Sequence, residues 1–290
     1  LSVCFDGLCL WAESVLPSLF PFMIITALLI KLGAPQAAAK PFAKISAKMN
    51  LPQATLPLFL MSAFSGYPAG SKILCEYCDC GYITEREAQK LAPLCSTCGP
   101  LFALGTVGAK AFGGNGAGAK LLCSCLISVV VCWLVFCLIT RKKAAPSVQR
   151  LASVKRENNL LQAVFTGGVT ACLVAGGFIC FFYTLSQVFA DFNIFKPLEL
   201  VFSLIFGTNI SQGLAQGLCE ATGGCFALAR AGGFFALPLA GFLITFGGAS
   251  IILQQICYLA NCGVKLWKFT LFKFVQALVC FGVLCILCLF

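Results

Sequence analysis

Four polar interruptions in an otherwise apolar chain carry the residues able to do chemistry. The first is Ser65-Gly66-Tyr67-Pro68-Ala69-Gly70-Ser71-Lys72. Gly66 and Gly70 permit tight backbone turns, and Pro68 stops helix propagation. Ser65 and Ser71 supply hydroxyls, Tyr67 a flat ring with a polar tip, and Lys72 a cation. Lys72 either faces a buried site or snorkels to the membrane surface. The second interruption is Cys95-Ser96-Thr97-Cys98-Gly99-Pro100. There Ser96 and Thr97 can bind a ligand or satisfy the carbonyls that Pro100 frees beside Gly99. The third holds Asn209 and, in Glu220-Ala221-Thr222-Gly223-Gly224, a carboxylate inside an apolar run. Glu220 can carry a proton or accept a substrate's hydrogen bond; the alternative is an ion pair with Arg230 or a surface position. The fourth is Gly247-Gly248, followed by Ser250 and Gln254, which are four residues apart and so share one helix face.

Several chemistries are excluded or left open by residue type. The chain has no histidine, which removes His-based triads, histidine-ligated haem and Cys/His zinc sites. GYPAGSK is not a P-loop, because Ser precedes Lys and the flanks are apolar runs rather than a strand and a helix. Cys75-x2-Cys78 followed by Cys95-x2-Cys98 fits a four-thiolate template, and equally fits chance in a chain with 20 cysteines. No metal is assigned to it. Most other cysteines sit in apolar runs as small hydrophobes, a usage that fits a reducing compartment better than a disulfide scaffold. No nucleophile–base pair is visible, so neither an enzyme nor a cofactor is expected.

These interruptions need elements to position them. The 290 residues are 60% hydrophobic and 10% charged, with mean hydropathy +0.95. Soluble domains are about a quarter charged, so the expectation is an all-α polytopic protein integral to a membrane. Runs of about 20 apolar residues fall near 8–30, 91–112, 120–140, 160–189, 236–260 and 268–290. Two further stretches, about 54–80 and 198–230, carry Gly-rich polar centres and read as re-entrant hairpins. Segment 35–50 reads as a basic amphipathic helix on the membrane surface. Segment 83–90 reads as a helix start with Thr84 and Glu87 as a capping box. The chain opens at Leu1 with no initiator Met and no basic leader, so no cleaved signal peptide is expected.

Net charge is +10, and most of the basic residues fall in three segments. These are 31–53 (Lys31, Lys40, Lys44, Lys48), 141–157 (Arg141, Lys142, Lys143, Arg150, Lys155, Arg156) and 261–273 (Lys265, Lys268, Lys273). With both odd stretches re-entrant, all three segments reach the cytoplasmic side. No basic groove with interleaved aromatics appears, so no nucleic-acid partner is expected. The expected partners are a small-molecule substrate and the lipid bilayer, with homo-oligomerisation left open.

The same reading divides the chain into a first repeat, 1–140, a basic linker, 141–159, and a second repeat, 160–290. Each repeat runs helix, re-entrant hairpin, broken helix, helix, and the two have opposite orientation. The broken helices are about 91–112 and 236–260. Inverted repeats with broken helices are a transporter design, with substrate near the midplane where the breaks converge. The expected site therefore comprises Ser65, Gly66, Tyr67, Pro68, Gly70, Ser71, Lys72, Ser96, Thr97, Gly99, Asn209, Glu220, Thr222, Gly247, Gly248, Ser250 and Gln254.

SGYPAGSKI, EAQKLAPLCSTCGPLFALGTVG, EATGG and FGGASIILQ together resemble the YlbJ-type sporulation integral membrane proteins, over nearly the whole chain. That family carries the nucleoside-recognition Gate domain and is similar in outline to the core of concentrative nucleoside transporters. The resemblance implies a multi-pass protein of the outer forespore membrane in a spore-forming bacterium of the Firmicutes type. It implies transport of dipicolinic acid, a flat pyridine dicarboxylate. Two alternatives remain at this point: a nucleoside-type carrier, and a non-transporting assembly or signalling protein.

Overall fold

The computed structural model describes residues 2–48, 51–139 and 159–289. The basic linker expected at 141–159 lies almost wholly outside the described residues. Every regular element described is helical, and no strand occurs among the described residues. The protein is an all-α polytopic membrane protein.

The first half opens with α1 (Ser2–Leu10), a π-helical turn π1 (Trp11–Val15) and α2 (Leu16–Lys31). α1 with π1 and α2 together make an apolar helix pair bent by 54°. α3 (Ala34–Lys48) follows, with Lys40 and Lys44 exposed. Then come the short helices α4 (Thr55–Ser65) and α5 (Ala69–Asp79), each 11 residues. At 1.5 Å per residue each is about 16 Å long, roughly half the hydrocarbon thickness. A turn leads to α6 (Glu85–Leu91), started by the capping box: the Thr84 N–H donates to Glu87 Oε2 at 2.8 Å and the Glu87 N–H to Thr84 Oγ1 at 3.3 Å. Residues 92–99 are non-helical, π2 (Phe102–Ala111) is π-helical, and α7 (Ala117–Ile139) closes the half.

The second half begins with the long α8 (Leu160–Asp191). α9 (Lys196–Phe206) follows and exposes a wholly apolar face, with Leu204 87% exposed. α10 (Thr208–Cys219) and α11 (Ala221–Ala231) are again half-length and break at Glu220. α12 (Ala236–Phe246) and α13 (Gly248–Leu259) meet at Gly247, whose φ of +98° lies in the left-handed region that only glycine adopts freely. α14 (Leu266–Leu287) ends the chain. Among the described residues, segments Ala117–Leu138, Leu160–Asp191, Ala236–Cys262 and Leu266–Leu287 are each long and apolar enough to cross a bilayer, and the count reaches five if the bent pair is one span.

The order of elements in the two halves can be set side by side. α2, α3, the α4–α5 hairpin, the break between α6 and π2, and α7 match α8, α9, the α10–α11 hairpin, the break between α12 and α13, and α14. The second hairpin is thus tighter than the stretch 198–230 expected from sequence. Gly207, at φ +89°, separates α9 from it. The segment expected as one broken helix at 91–112 is a short α6, a non-helical stretch and a π-helix. Outward side chains are apolar, including Leu173, Phe181, Leu200 and Leu271. Lipid, not water, is the solvent such a surface suits.

Candidate functional site

In each half the hairpin tip packs on that half's own helix break. Gly66 ends α4 at φ +71°, and a Cβ there would collide with the backbone of Gly99. The Tyr67 N–H donates to the Thr97 carbonyl at 2.8 Å, and Gly70 packs against the carbonyl of Cys95. In the second half a Cβ on Gly248 would lie 2.8 Å from the Gly217 carbonyl oxygen, and Gly217 itself packs on Gly224. Glycine is required at these positions because backbone meets backbone with no room for a side chain.

The two halves then join across the middle. The Tyr67 hydroxyl donates to the Ile244 carbonyl at 2.9 Å, at the end of α12. Ser71 donates to Gln255 Oε1 at 3.1 Å, on α13. Between them lies a cavity of about 50 Å³. Its polar wall is Ser65, Tyr67, Glu220, Thr222 and Gln254, together with the backbone at Pro68 and Gly99. Its apolar wall includes Phe22, Phe64 and Phe102. The volume suits a few water molecules and is too small for a metabolite.

Glu220 is 2% exposed and sits between α10 and α11. Its carboxylate accepts from the Thr222 N–H at 3.0 Å and the Gly223 N–H at 2.6 Å, which caps α11. A carboxylate at a helix N-terminus satisfies orphan donors and meets the positive end of the dipole. Glu220 also borders a second, larger space of about 520 Å³, a vestibule lined by Asp6, Glu13, Lys110, Gln187, Gln216 and Arg230. Glu13 precedes α2, Lys31 ends it, and Gln187 lies near the end of α8. The vestibule is therefore at the opposite end of the spans from the Lys31 loop.

Not every expected site residue reaches the cavity. Lys72 forms an ion pair with Glu76 at 2.9 Å, with the two side chains 18% and 25% exposed. It lies beside Gly167, near the start of α8, whereas Glu220 caps a helix whose Gly223 lies near the ring of Tyr183. Sixteen residues of helix put these levels on the order of 20 Å apart. α5 resumes at Ala69, so Lys72 stands one turn into it, and Glu76 at i+4 takes its charge. Asn209 is exposed at the start of α10. Ser96 is buried behind the first break with its hydroxyl unpartnered, while Thr97 Oγ1 donates to the Ser62 carbonyl at 3.4 Å. Ser250 is buried and accepts from Gln254 Nε2 at 3.2 Å. Gly247 and Gly248 form the second break itself.

One sequence expectation is corrected by position, and one cysteine pattern left open is found otherwise engaged. Lys273, counted with the basic loop 261–273, lies inside α14 and is 1% exposed, and its Nζ donates to the Ser96 carbonyl at 2.7 Å. The signal for this was present: the apolar run begins at Leu266, which places Lys273 two turns inside the helix. Cys75, the first member of the four-thiolate template, is bonded to Cys262, 187 residues away. That bond ties α5 to the turn after α13. Among the described residues no cluster of three or more metal-ligating side chains forms. Gln276, whose Nε2 donates to the Pro93 carbonyl at 3.1 Å, was also not singled out from sequence.

Half-length hairpins, glycine-ended helix breaks and a polar cavity sit within a class: an all-α polytopic membrane protein. No protein-family model matches the chain, and no solved structure matches it. The chain is 24% identical over 301 residues to the sporulation integral membrane protein YlbJ of Bacillus subtilis (strain 168). The alignment spans 93% of this chain and 73% of that relative, and it supports a YlbJ-type assignment.

Proposed function

We propose that the chain is a membrane carrier used in sporulation, moving a small flat metabolite by alternating access at the cavity between its two halves. The observation that carries the reading is the convergence of both hairpin tips, the first helix break at Gly99 and the start of α13 on one polar space lined by Ser65, Tyr67, Glu220 and Gln254. Helix breaks at membrane depth are stable only where they are buried in protein or line a cavity. The half-length hairpins are the elements that can rock against α2, α7, α8 and α14 to open the space to either side.

The sporulation relative supports a membrane role in sporulation; dipicolinate as the substrate and the outer forespore membrane as the location are what the resemblance implies. The aromatic wall of Phe22, Phe64, Tyr67 and Phe102 suits a flat ring. The test is uptake of labelled dipicolinate into liposomes carrying the purified protein. Saturable uptake that unlabelled dipicolinate blocks supports the reading; uptake equal to protein-free liposomes removes it. One observation favours a second substrate class. No lysine or arginine is among the described residues lining the cavity. A neutral nucleoside needs no cation, so competition by uridine or adenosine, without competition by dipicolinate, would select the nucleoside reading.

A further inference from the structure

We propose that a proton admitted from the vestibule to Glu220 lets a substrate carboxylate replace the Glu220 carboxylate at the N-terminus of α11. The inference rests on the carrier reading above and specifies its coupling ion and the charge of its substrate. Glu220 is the wall shared by the vestibule and the cavity. Its carboxylate already occupies the Thr222 and Gly223 N–H groups, the donors a carboxylate-bearing ligand would want. On the same cavity the Ser65 hydroxyl is buried, with the residue 5% exposed, and it has no hydrogen-bond partner. A buried hydroxyl without a partner is costly, so a ligand oxygen brought against Ser65 as the site opens would satisfy it.

The electrostatics set the order of events. While Glu220 is ionised, a second carboxylate in a cavity without lysine or arginine meets like-charge repulsion at low dielectric. The groups facing Glu220 do not supply the missing charge inside the cavity. Tyr67 comes from the first hairpin tip, Tyr183 from α8, Cys219 from α10, and Cys225 and Arg230 from α11. Asp6, Glu13 and Lys110 come from α1, π1 and π2 and stay in the vestibule, where two bases balance two acids. α13 contributes Ile251 and Gln254, which do not titrate. A hydronium ion in the vestibule gives its proton to the Glu220 carboxylate and leaves as water. The neutral side chain releases the two N–H groups, which with the Ser65 hydroxyl then bind the substrate carboxylate. Loss of the proton on the far side restores the cap and expels the substrate. Each substrate molecule carried this way moves with one proton.

The experiment is calorimetric binding of dipicolinate to the purified full chain, in two buffers of different protonation enthalpy and across pH 5.5–8. Wild type is expected to take up about one proton per bound ligand, with affinity falling about tenfold per pH unit on the alkaline side. Glu220→Gln keeps an acceptor for the cap. It is expected to bind at alkaline pH with the affinity wild type shows in acid, with no proton uptake. Ser65→Ala is expected to weaken binding about tenfold and leave the proton count unchanged. Binding without proton uptake, binding that requires sodium, or an unchanged pH profile in Glu220→Gln overturns the exchange and leaves the carrier reading standing. Absence of dipicolinate binding at every pH overturns the exchange together with dipicolinate as the substrate.

Discussion

Lys273 donates to the carbonyl of Ser96 at 2.7 Å, and by that bond the last helix of the chain supports the helix break of the first half. Gln276, one turn on, does the same for the Pro93 carbonyl at 3.1 Å. The reverse arrangement is weaker but present: Cys125 of α7 lies 3.2 Å from the Thr245 hydroxyl at the end of α12. Each half's final helix thus props the other half's break. Carbonyls left without an i+4 donor have no water to turn to in hydrocarbon, so a side chain from a neighbouring helix must meet them.

Lys273→Met is therefore expected to destabilise the protein despite matching the stem in length and removing a buried charge. The carbonyl of Ser96 is left unpaired, a loss of about 1–3 kcal/mol, partly offset by relief of the lysine's desolvation. Thermal unfolding in detergent checks it. The expected midpoint lies below wild type, and an unchanged or higher midpoint would mean the break holds without the bond.

Lys72 leads to the opposite expectation. It is partly exposed, paired to Glu76 on its own helix, and absent from the cavity wall. Surface pairs at i,i+4 contribute about 0.3–0.5 kcal/mol. Lys72→Gln should leave dipicolinate uptake within about twofold of wild type, since such an energy is about a twofold effect. A loss of tenfold or more would return Lys72 to the substrate path.

The contrast between the two lysines shows how far the sequence is legible. Local signals were readable: Gly66 and Pro68 end one half-helix, Gly247 ends another, and the Thr84–Glu87 box starts α6 where expected. These depend on one residue's backbone preference and need no knowledge of neighbours. Charge placement was not readable the same way. Counting lysines by segment grouped Lys273 with a loop, because only the packing of α14 against the first break shows where its side chain goes. The sequence marks Glu220 as an acid within an apolar run but leaves a surface position open, and its role as a cap is hidden because glutamate is not among the favoured N-cap residues. The Cys75–Cys262 bond joins residues from different halves, which no local pattern reports. The boundary between α9 and the second hairpin was blurred because both segments are apolar and only Gly207 divides them.

Glu220→Ala separates the capping role from the charge. Alanine gives α11 no side-chain acceptor, so the Thr222 and Gly223 N–H groups go unpaired in a dry site. Loss of a cap costs about 0.5–2 kcal/mol, whereas glutamine retains an oxygen that can accept. The expected order of unfolding midpoints is wild type, then Glu220→Gln, then Glu220→Ala. Equal midpoints for the two variants would mean that the cap contributes nothing.

Gly66→Ala tests whether the first tip must touch the first break. The residue has φ +71°, where an L side chain is strained, and its Cβ would strike the Gly99 backbone. Backbone cannot rotate aside as a side chain can, so relief requires the hairpin to lift away from residues 97–99. That movement breaks the Tyr67 N–H bond to Thr97 and pulls the Tyr67 hydroxyl off Ile244, which joins the halves. The combined strain and lost bonds amount to about 2–4 kcal/mol. The cavity should lose its Tyr67 wall as well. Uptake is expected to fall at least tenfold with an unfolding midpoint several degrees lower. Gly113→Ala serves as the comparison: it has similar positive φ, +72°, but open space around the added methyl. If the two variants behave alike, backbone conformation alone accounts for the effect, and the packing of tip on break is not what shapes the site.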